Sequence, residues 1–160
     1  MAVLINPSNP AVAETTTNQI LAAAQMLGLE LHVLSASTES DFDEVFAKVS
    51  QLGVNGLVLG GGDPFFVGRS RQLAALAARH TVPMVGAGRE FVTGGGLIGY
   101  GADIVDAYSL TGGYVGRILK GEKPTDLPVQ QATKIEFLIS LKTAKTLGIA
   151  VLARADEVIE

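Results

Sequence analysis

The stretch Asn55–Phe66 reads Asn-Gly-Leu-Val-Leu-Gly-Gly-Gly-Asp-Pro-Phe-Phe, and it decides the fold of the chain. Its apolar run, Gly56–Leu59, predicts a short strand covered on both faces, as in the middle of a parallel sheet. The three glycines that follow allow a sharp turn. Asp63 and Pro64 then predict a helix start, with a side-chain cap and proline at the first position. Ligands of open α/β sheets bind beyond the carboxyl ends of the strands, so this loop is the predicted floor of a site.

The composition indicates one globular domain. The chain has 160 residues, of which 48% are hydrophobic and 18% charged, and its net charge is −4. This length suits a single domain with a sizeable core. The basic residues are scattered, which argues against nucleic acid as a partner. Cysteine is absent and only His32 and His80 are present, so no thiolate or multi-histidine metal site is predicted.

The amino-terminal residues predict a strand and not an export signal, because Met1 is followed at once by Ala-Val-Leu-Ile. A mature chain with its signal removed would look the same. No apolar run approaches the ~20 residues of a membrane span.

Four strand–helix units follow one another in the first part of the chain. Their strands are predicted at Ala2–Ile5, Leu29–Leu34, Gly56–Leu59 and Thr81–Val85. A spacing of about 25–30 residues suits parallel strands joined by helical crossovers. Asn9 and either Thr38 or Ser40 are the predicted caps of the first two helices. These units predict an α/β fold with a doubly wound, mostly parallel sheet of flavodoxin-like order and a central third strand.

The second half is less regular. Leu97–Gly101 predicts a fifth strand, and Asp103 opens a helix. Gly112 and Gly113 inside that helix each cost roughly 1 kcal/mol relative to alanine, which indicates close packing or a break. The remaining predictions are a sixth strand at Ile135–Ile139, a short helix at Lys142–Leu147 and a weak helical pattern through Leu152, Val158 and Ile159. The single domain is divided into a core (1–93), a crossover strand and helix (94–127) and a carboxyl-terminal part with a strand and helices (128–160).

The glycine-rich stretches do not match established nucleotide-binding motifs. Gly94–Gly99 fits G-x-G-x-x-G, but its glycines precede a strand instead of following one. Gly60–Gly62 stands in the right place without the right spacing, and Asn6–Pro10 has too few hydroxyls for a flavin phosphate loop. No set of nucleophile, base and orienting group can be assembled, so neither an enzyme nor a cofactor is predicted.

Several charged and aromatic residues lie near the predicted strand ends. Arg89 and Glu90 follow the fourth strand, where charged residues either solvate the rim or contact a ligand. The aromatic residues have two alternatives of their own, since each can line a ligand site or pack in the core: Phe65, Phe66, Phe91 and Tyr100. The residues alone leave these alternatives open.

A series of short motifs runs through the second half: Arg89-Glu90-Phe91, Gly95–Gly101, Asp106-Ala107-Tyr108, Gly113–Pro124, Asp126–Gln131, Lys134–Phe137, Leu141–Lys145 and Ala153–Ile159. In this order the series resembles the carboxyl-terminal half of substrate-binding proteins of bacterial ABC transporters. The group is that of the type I periplasmic-binding fold with tryptophan- and tyrosine-binding members. Ala2–Pro10 and Asp63–Phe66 are also similar to segments of that family's second lobe.

The resemblance implies a two-lobed, non-catalytic receptor that closes on a small ligand, often an amino acid or related nutrient, and delivers it to a membrane permease. A zwitterion would need an acid, Asp63 or Glu90, for its ammonium group, and a donor such as Arg89 or a serine for its carboxylate. The ligand-binding positions that the resemblance implies are Asn6, Ser8, Ser35, Ser37, Gly62, Asp63, Arg89, Glu90 and Tyr100.

The chain has residues for only one lobe of such a receptor. By resemblance, residues 97–127 would cross to the other lobe, so here they must extend their own sheet, pair with another copy or expose an apolar helix face. We therefore expect a homodimer through this region. A periplasmic location is implied by the family, and a cytoplasmic one if Met1 is the true start. The alternative function is a stand-alone, dimeric ligand-sensing or interaction domain without a transport role.

Overall fold

The computed structural model describes residues 1–150 and 155–159. The strands among these residues are β1 (Ala2–Ile5), β2 (His32–Ser35), β3 (Leu57–Leu59), β4 (Met84–Gly86), β5 (Ile98–Ala102), β6 (Ile135–Ser140) and β7 (Glu157–Ile159). The helices are α1 (Pro10–Met26), α2 (Asp41–Leu52), α3 (Pro64–Val67), α4 (Ser70–Arg79), α5 (Gly88–Thr93), α6 (Ile104–Leu119) and α7 (Leu141–Thr146). A 3₁₀ turn at Pro124–Asp126 lies in the connection that follows α6.

The strands form one sheet in the order β2-β1-β3-β4-β5-β6-β7. The first five strands are parallel, and β3 is the middle one of these five. The predicted doubly wound, flavodoxin-like order is therefore confirmed. β6 runs antiparallel to β5, and β7 is parallel to β6. The carboxyl-terminal strands thus extend the sheet beyond β5 in the reverse direction.

The main core lies between one face of the sheet and helices α2 and α4. Alternate residues of the strands point to this face, so Ala2 and Leu4 share it with Leu57 and Leu59. Helix α2 supplies the buried partners of these strands through apolar residues at helical spacing, here called the α2 stripe: Phe42, Val45, Phe46 and Val49. Val3 points to the opposite face, where α1 packs on β1.

Phe91 of α5 is fully buried between two glycines. A Cβ atom at Gly86 would lie 2.5 Å from Cγ of the Phe91 ring, and one at Gly96 would also overlap this ring. Only glycine at both positions leaves room for the ring. Phe66 is buried as well, and Phe65 packs beside it with ring centroids 5.3 Å apart. Of the two alternatives, a ligand lining and the core, the structure supports the core, because all three phenylalanines belong to it or border it.

Asn9 and Ser40 occupy the N-cap positions of α1 and α2, as two of the predictions have it, but neither side chain makes a cap hydrogen bond to its helix. Before α2, the Thr38 and Ser40 hydroxyls bond to each other at 2.8 Å. Asp41 organises this turn instead, because its Oδ2 accepts from the backbone N–H groups of Ser37 and Thr38 at 2.8 and 2.9 Å. These bonds lower the pKa of Asp41.

Several element bounds also differ from the predictions. Gly68 and Arg69 divide the helix expected after β3 into α3 and α4, and Arg89 and Glu90, which follow β4, lie in the short helix α5. Tyr100 lies inside β5, within the predicted fifth strand. The helical pattern expected for the last ten residues is wrong at Glu157–Ile159, which form β7 beside β6, and Leu152 lies outside the described residues.

The β5–β6 ladder continues beyond the parallel sheet. β4 pairs with β5 only as far as Gly99, whereas β6 pairs with β5 up to Ala102. Helix α6 begins immediately after this two-stranded ribbon, and among the described residues none of its side chains is buried. The sequence left three arrangements open for residues 97–127, and the structure shows two of them. β5 joins its own sheet, and α6 exposes an apolar face. The division at residues 94 and 128 stays a prediction.

Candidate functional site

Buried Asp63 joins the loops that follow β1 and β3. Its Oδ1 accepts from the backbone N–H of Phe65 at 2.9 Å, which is the predicted cap of α3. The Asn6 amide donates to Oδ1 at 3.2 Å, and the Asn9 amide donates to Oδ2 at 3.1 Å. Asn6 also accepts from the backbone N–H of Ser8 at 3.0 Å. One carboxylate therefore fixes both loops at the carboxyl edge of the sheet.

This network leaves Asp63 little surface for a ligand. The residue is 2% exposed, and its two oxygens already meet three protein donors. A carboxylate in this position can hold the loops in place without touching a bound molecule. Asn6 is also buried, with 8% of its surface exposed, whereas Ser8 beside it is exposed.

The loop after β2 contributes hydroxyl groups to the same edge. Ser35 is the last residue of β2, pairs in register with Ile5 of β1 and is exposed. Ser37 is half-buried, and its backbone N–H is held by Asp41. Gly62 stands on the other side of β1, exposed and with a φ of 77°, where a larger residue would be strained. Polar groups from three neighbouring strand ends thus meet here.

Arg89 is held by two carboxylates of the carboxyl-terminal strands. Its guanidinium donates to Glu157 at 2.7 and 3.0 Å and to Glu136 at 2.6 Å. The bonds to Glu157 and then to Glu136 raise the pKa of Arg89, and Arg89 in turn lowers the pKa of Glu157. The cluster carries a net charge of −1, and it links α5 to β6 and β7.

Glu90 and Tyr100 form no hydrogen bond with the Asp63 network among the described residues. Glu90 lines a cavity of about 540 Å³ with Glu39, Arg69 and residues of α4. Tyr100 is 60% exposed and packs edge-on against Phe137 of β6. A second cavity of about 410 Å³ lies between α5 and α7 and includes none of the nine predicted site residues among its described lining.

The structure therefore brings some predicted residues together and separates others. One group at the carboxyl ends of β2, β1 and β3 contains Asn6, Ser8, Ser35, Ser37, Gly62 and Asp63. Arg89, Glu90 and Tyr100 lie on or beside β4 and β5, each with a different environment. The geometry suits a polar, hydrogen-bonding surface on an open edge.

Sequence reasoning missed three residues that shape this region. Asn9 was predicted only as a cap, although its place after β1 brings it within reach of Asp63. Glu136 and Glu157 had no local signal, because their approach to Arg89 depends on how β6 and β7 pair.

No group of three histidine, cysteine, aspartate or glutamate residues in the described ranges could hold a metal ion. Across the same ranges, every helix is too short or too polar to cross a membrane.

The fold is similar to three solved structures. A conserved domain protein from Vibrio cholerae has a TM-score of 0.83 at 24% identity, with 98% of this chain and 53% of that chain covered. The ABC domain from Streptococcus pneumonia, solved in complex with L-Trp, has a TM-score of 0.82 at 22% identity, with 99% and 54% covered. A substrate binding protein with adhesive properties from Clostridium difficile, in its ligand-free, open structure, has a TM-score of 0.71 at 18% identity, with 99% and 53% covered. At these identities the likeness shows the fold alone.

The chain thus spans about half the length of these solved proteins. A search of curated proteins gives no significant match. The family described as ABC transporter substrate binding protein matches residues 1–159. A match of this family model over nearly the whole chain shows that the chain belongs to the family of ABC transporter substrate-binding proteins.

Proposed function

We propose that this chain binds a small solute at the carboxyl edge of its sheet as part of an ABC transport system. The observation that carries the proposal is the family match over residues 1–159. The geometry agrees with it, because Asp63 fixes two neighbouring loops and leaves polar groups exposed beside them. The family is one of substrate-binding proteins and not of enzymes, so binding without catalysis is the proposed activity.

The proposed ligand is an amino acid. One structure of similar fold was solved with L-Trp. The exposed hydroxyls of Ser8 and Ser35 and the half-buried hydroxyl of Ser37 offer donors for a carboxylate. In this proposal Asp63 positions the loops, and Glu90 is the remaining candidate for the ammonium group. Gly62 allows close approach, and Arg89 and Tyr100 border the site.

The proposed receptor has two lobes, of which this chain supplies one. Proteins of similar fold are about twice as long, so a second lobe would complete the cleft and exclude water when it closes. A membrane permease is the proposed recipient of the solute. The family is normally periplasmic, and we propose the same location for this chain.

The alternative is a dimeric ligand-sensing or interaction domain. It is favoured by one observation, the exposed apolar face of α6. In either case we propose that two copies of the chain can pair through residues 97–127.

The proposed function is tested by a thermal-shift screen of the purified chain against the amino acids. A ligand at a hundred times its dissociation constant stabilises by about 2.7 kcal/mol, which raises the unfolding midpoint by several degrees. We expect a saturable shift with one class of amino acid, and a smaller shift with its N-acetyl or amide derivative.

Variants separate the site from general effects on stability. Ser8→Ala and Ser37→Ala are expected to weaken binding, whereas Ser109→Ala, an exposed serine on α6, is the matched control. Glu90→Gln is expected to weaken binding of the amino acid but not of its N-acetyl derivative. A folded chain that shifts with no amino acid, alone or at concentrations where it pairs, would contradict the proposal.

A further inference from the structure

The cavity of about 540 Å³ lies between helices α4 and α5 and is lined mainly by polar residues. Arg71 and Gln72 of α4 belong to its lining, as do Glu90 and Thr93 of α5. Glu39, from the loop after β2, belongs to the same lining. A volume of this size is within the range of pockets that hold small molecules.

The side chain of Arg71 lies about one helical turn from Glu90. A Cβ atom at Gly94 would be 3.0 Å from Cγ of Arg71, so the stem of this arginine packs against Gly94. The Gly94 N–H donates to the Glu90 carbonyl oxygen at 3.0 Å, which is the helical bond between residues four apart. Residues at this spacing are neighbours on one helix face, about 5–6 Å apart. Arg71 and Glu90 are therefore close enough to contact one small molecule.

Both charges are available to a ligand. Among the described residues, the Arg71 guanidinium and the Glu90 carboxylate form no ion pair or hydrogen bond, either with each other or with another residue. Both residues are exposed. Two opposite charges that line one cavity and stay unpaired form the arrangement that a zwitterion needs.

Arg69 lines the same cavity, but its guanidinium is already engaged. Its Nε donates to Glu39 at 2.8 Å, and its Nη1 donates to the carbonyl oxygen of Phe65 at 3.2 Å. The guanidinium also lies over the Phe65 ring, 4.3 Å from the ring centroid. Of these two arginines, Arg71 is therefore the one that can receive a carboxylate without breaking a bond within the chain.

We propose that Arg71 and Glu90 bind the two charged groups of the amino acid solute, with its carboxylate on Arg71 and its ammonium group on Glu90. A guanidinium can donate two parallel hydrogen bonds to a carboxylate. This assignment rests on the proposed function: it keeps Glu90 as the partner of the ammonium group and adds the positive charge that serine hydroxyls lack. Ser37 precedes Glu39 by only two residues, so the serine loop adjoins the cavity and can hold further polar atoms of the solute.

The cavity suits the part that all amino acids share. Val67 is the one large apolar side chain in its described lining, so this lobe offers little apolar surface to the side chain of the solute. The main-chain end of the solute is what the two charges hold. We therefore expect a substitution of Arg71 to weaken the binding of amino acids with different side chains by similar factors.

The experiment uses the fluorescence of tryptophan probes, because the chain contains no tryptophan of its own. L-tryptophan carries both charges, L-tryptophanamide lacks the carboxylate, and N-acetyl-L-tryptophan lacks the ammonium group. The fluorescence anisotropy of each probe is measured as the full chain is added, beside the thermal-shift screen described above. If another amino acid gives the larger thermal shift, that amino acid, its amide and its N-acetyl form are compared by thermal shift in the same way.

Variants of the two charged residues separate the two ends of the probe. Arg71→Gln is expected to weaken the binding of L-tryptophan about tenfold or more without weakening that of L-tryptophanamide. Arg71→Lys keeps the charge but loses the paired donors, and we expect an intermediate affinity. Glu90→Gln is expected to weaken the binding of L-tryptophan without weakening that of N-acetyl-L-tryptophan. Arg79→Gln, on the same helix and paired with Asp43, is the matched control and should bind like the wild type.

Two results would overturn the inference. If the wild-type chain binds an amino acid and Arg71→Gln binds it equally well, or weakens all three forms alike, Arg71 is not the partner of the carboxylate, and solute binding by the chain still stands. If the wild-type chain binds no amino acid in either assay, the proposed function fails, and the assignment of Arg71 and Glu90 fails with it.

Discussion

Replacing Asp63 by alanine tests the central arrangement of the site. The substitution removes the cap of α3 and the acceptor that holds Asn6 and Asn9. Loss of a cap costs typically about 1 kcal/mol. Leaving the amide of buried Asn6 without its partner costs a further ~1–3 kcal/mol, whereas the half-buried Asn9 amide can turn to water. We therefore expect Asp63→Ala to lower the free energy of unfolding by about 2–4 kcal/mol.

Two further variants provide comparisons for the loss of stability expected of Asp63→Ala. Asp63→Asn keeps an oxygen that can accept from Phe65 N–H, but it brings an amide group towards two other amides, so we expect an intermediate loss. Asp43→Ala removes an exposed aspartate whose ion pair with Arg79 is on the surface, and we expect less than about 0.5 kcal/mol.

The measurement is urea-induced unfolding of the three variants and the wild type, followed by circular dichroism. The slope of each transition shows whether the unfolding reaction is the same in every variant. If Asp63→Ala unfolds within about 0.5 kcal/mol of Asp43→Ala, the buried carboxylate does not organise the two loops, and the positioning role proposed for it is wrong.

Three further predictions concern packing and charge. Gly99→Ala should lower the free energy of unfolding by about 1–3 kcal/mol in urea titrations, because its Cβ would overlap the carbonyl oxygen of Gly88; Gly101→Ala, whose Cβ would sit 3.4 Å from the nearest atom, should cost less. Phe46→Ala should cost about 3–5 kcal/mol in the same assay, since the ring is fully buried, and a loss below 1 kcal/mol would contradict the core described above. Arg89 holds the pKa of Glu157 below its ordinary value of 4.5, so this contribution to stability is present above that pH and is lost as the pH falls through and below it. The loss, followed by thermal unfolding between pH 6 and 3, should be smaller for Glu157→Gln.

The parts of the fold that the sequence could predict depend on local patterns. The α2 stripe faces the core as its spacing predicts, and the order of β1 to β5 follows from four regular strand–helix units. Asp63 caps α3 because the acceptor and the donor are two residues apart. Each of these features is decided within a short stretch of chain.

The parts that could not be predicted depend on partners distant in sequence. Asn9 occupies the N-cap position of α1, but its side-chain amide donates to a carboxylate 54 residues away, and its side chain makes no cap hydrogen bond. Glu157 follows the weak helical pattern, yet β6 offers it a strand partner and Arg89 a counter-charge. Tertiary contacts overrode local preference in both cases.

The candidate site, like the fold, could be predicted from the sequence only in part. The loops after β1, β2 and β3 converge because parallel strands end at one edge, which the strand order alone implies. What the sequence could not show is that Asp63 turns inward, whereas the serines beside it stay exposed or half-buried. Burial of a carboxylate is decided by the donors that surround it, and two of the three come from another loop.

The position of Phe91 between Gly86 and Gly96 has a consequence for motion. A buried phenylalanine ring can flip about its Cβ–Cγ axis only if the atoms around it move apart for a moment. Here the backbone of Gly86 and that of Gly96 lie against the ring. Backbone atoms yield far less readily than a side chain that can change rotamer. The two sides of this ring should therefore exchange slowly, so that its ortho protons resonate separately in a nuclear magnetic resonance spectrum while those of the half-buried Phe65 merge. The rate at which this ring flips then reports how often the β4–α5–β5 region opens.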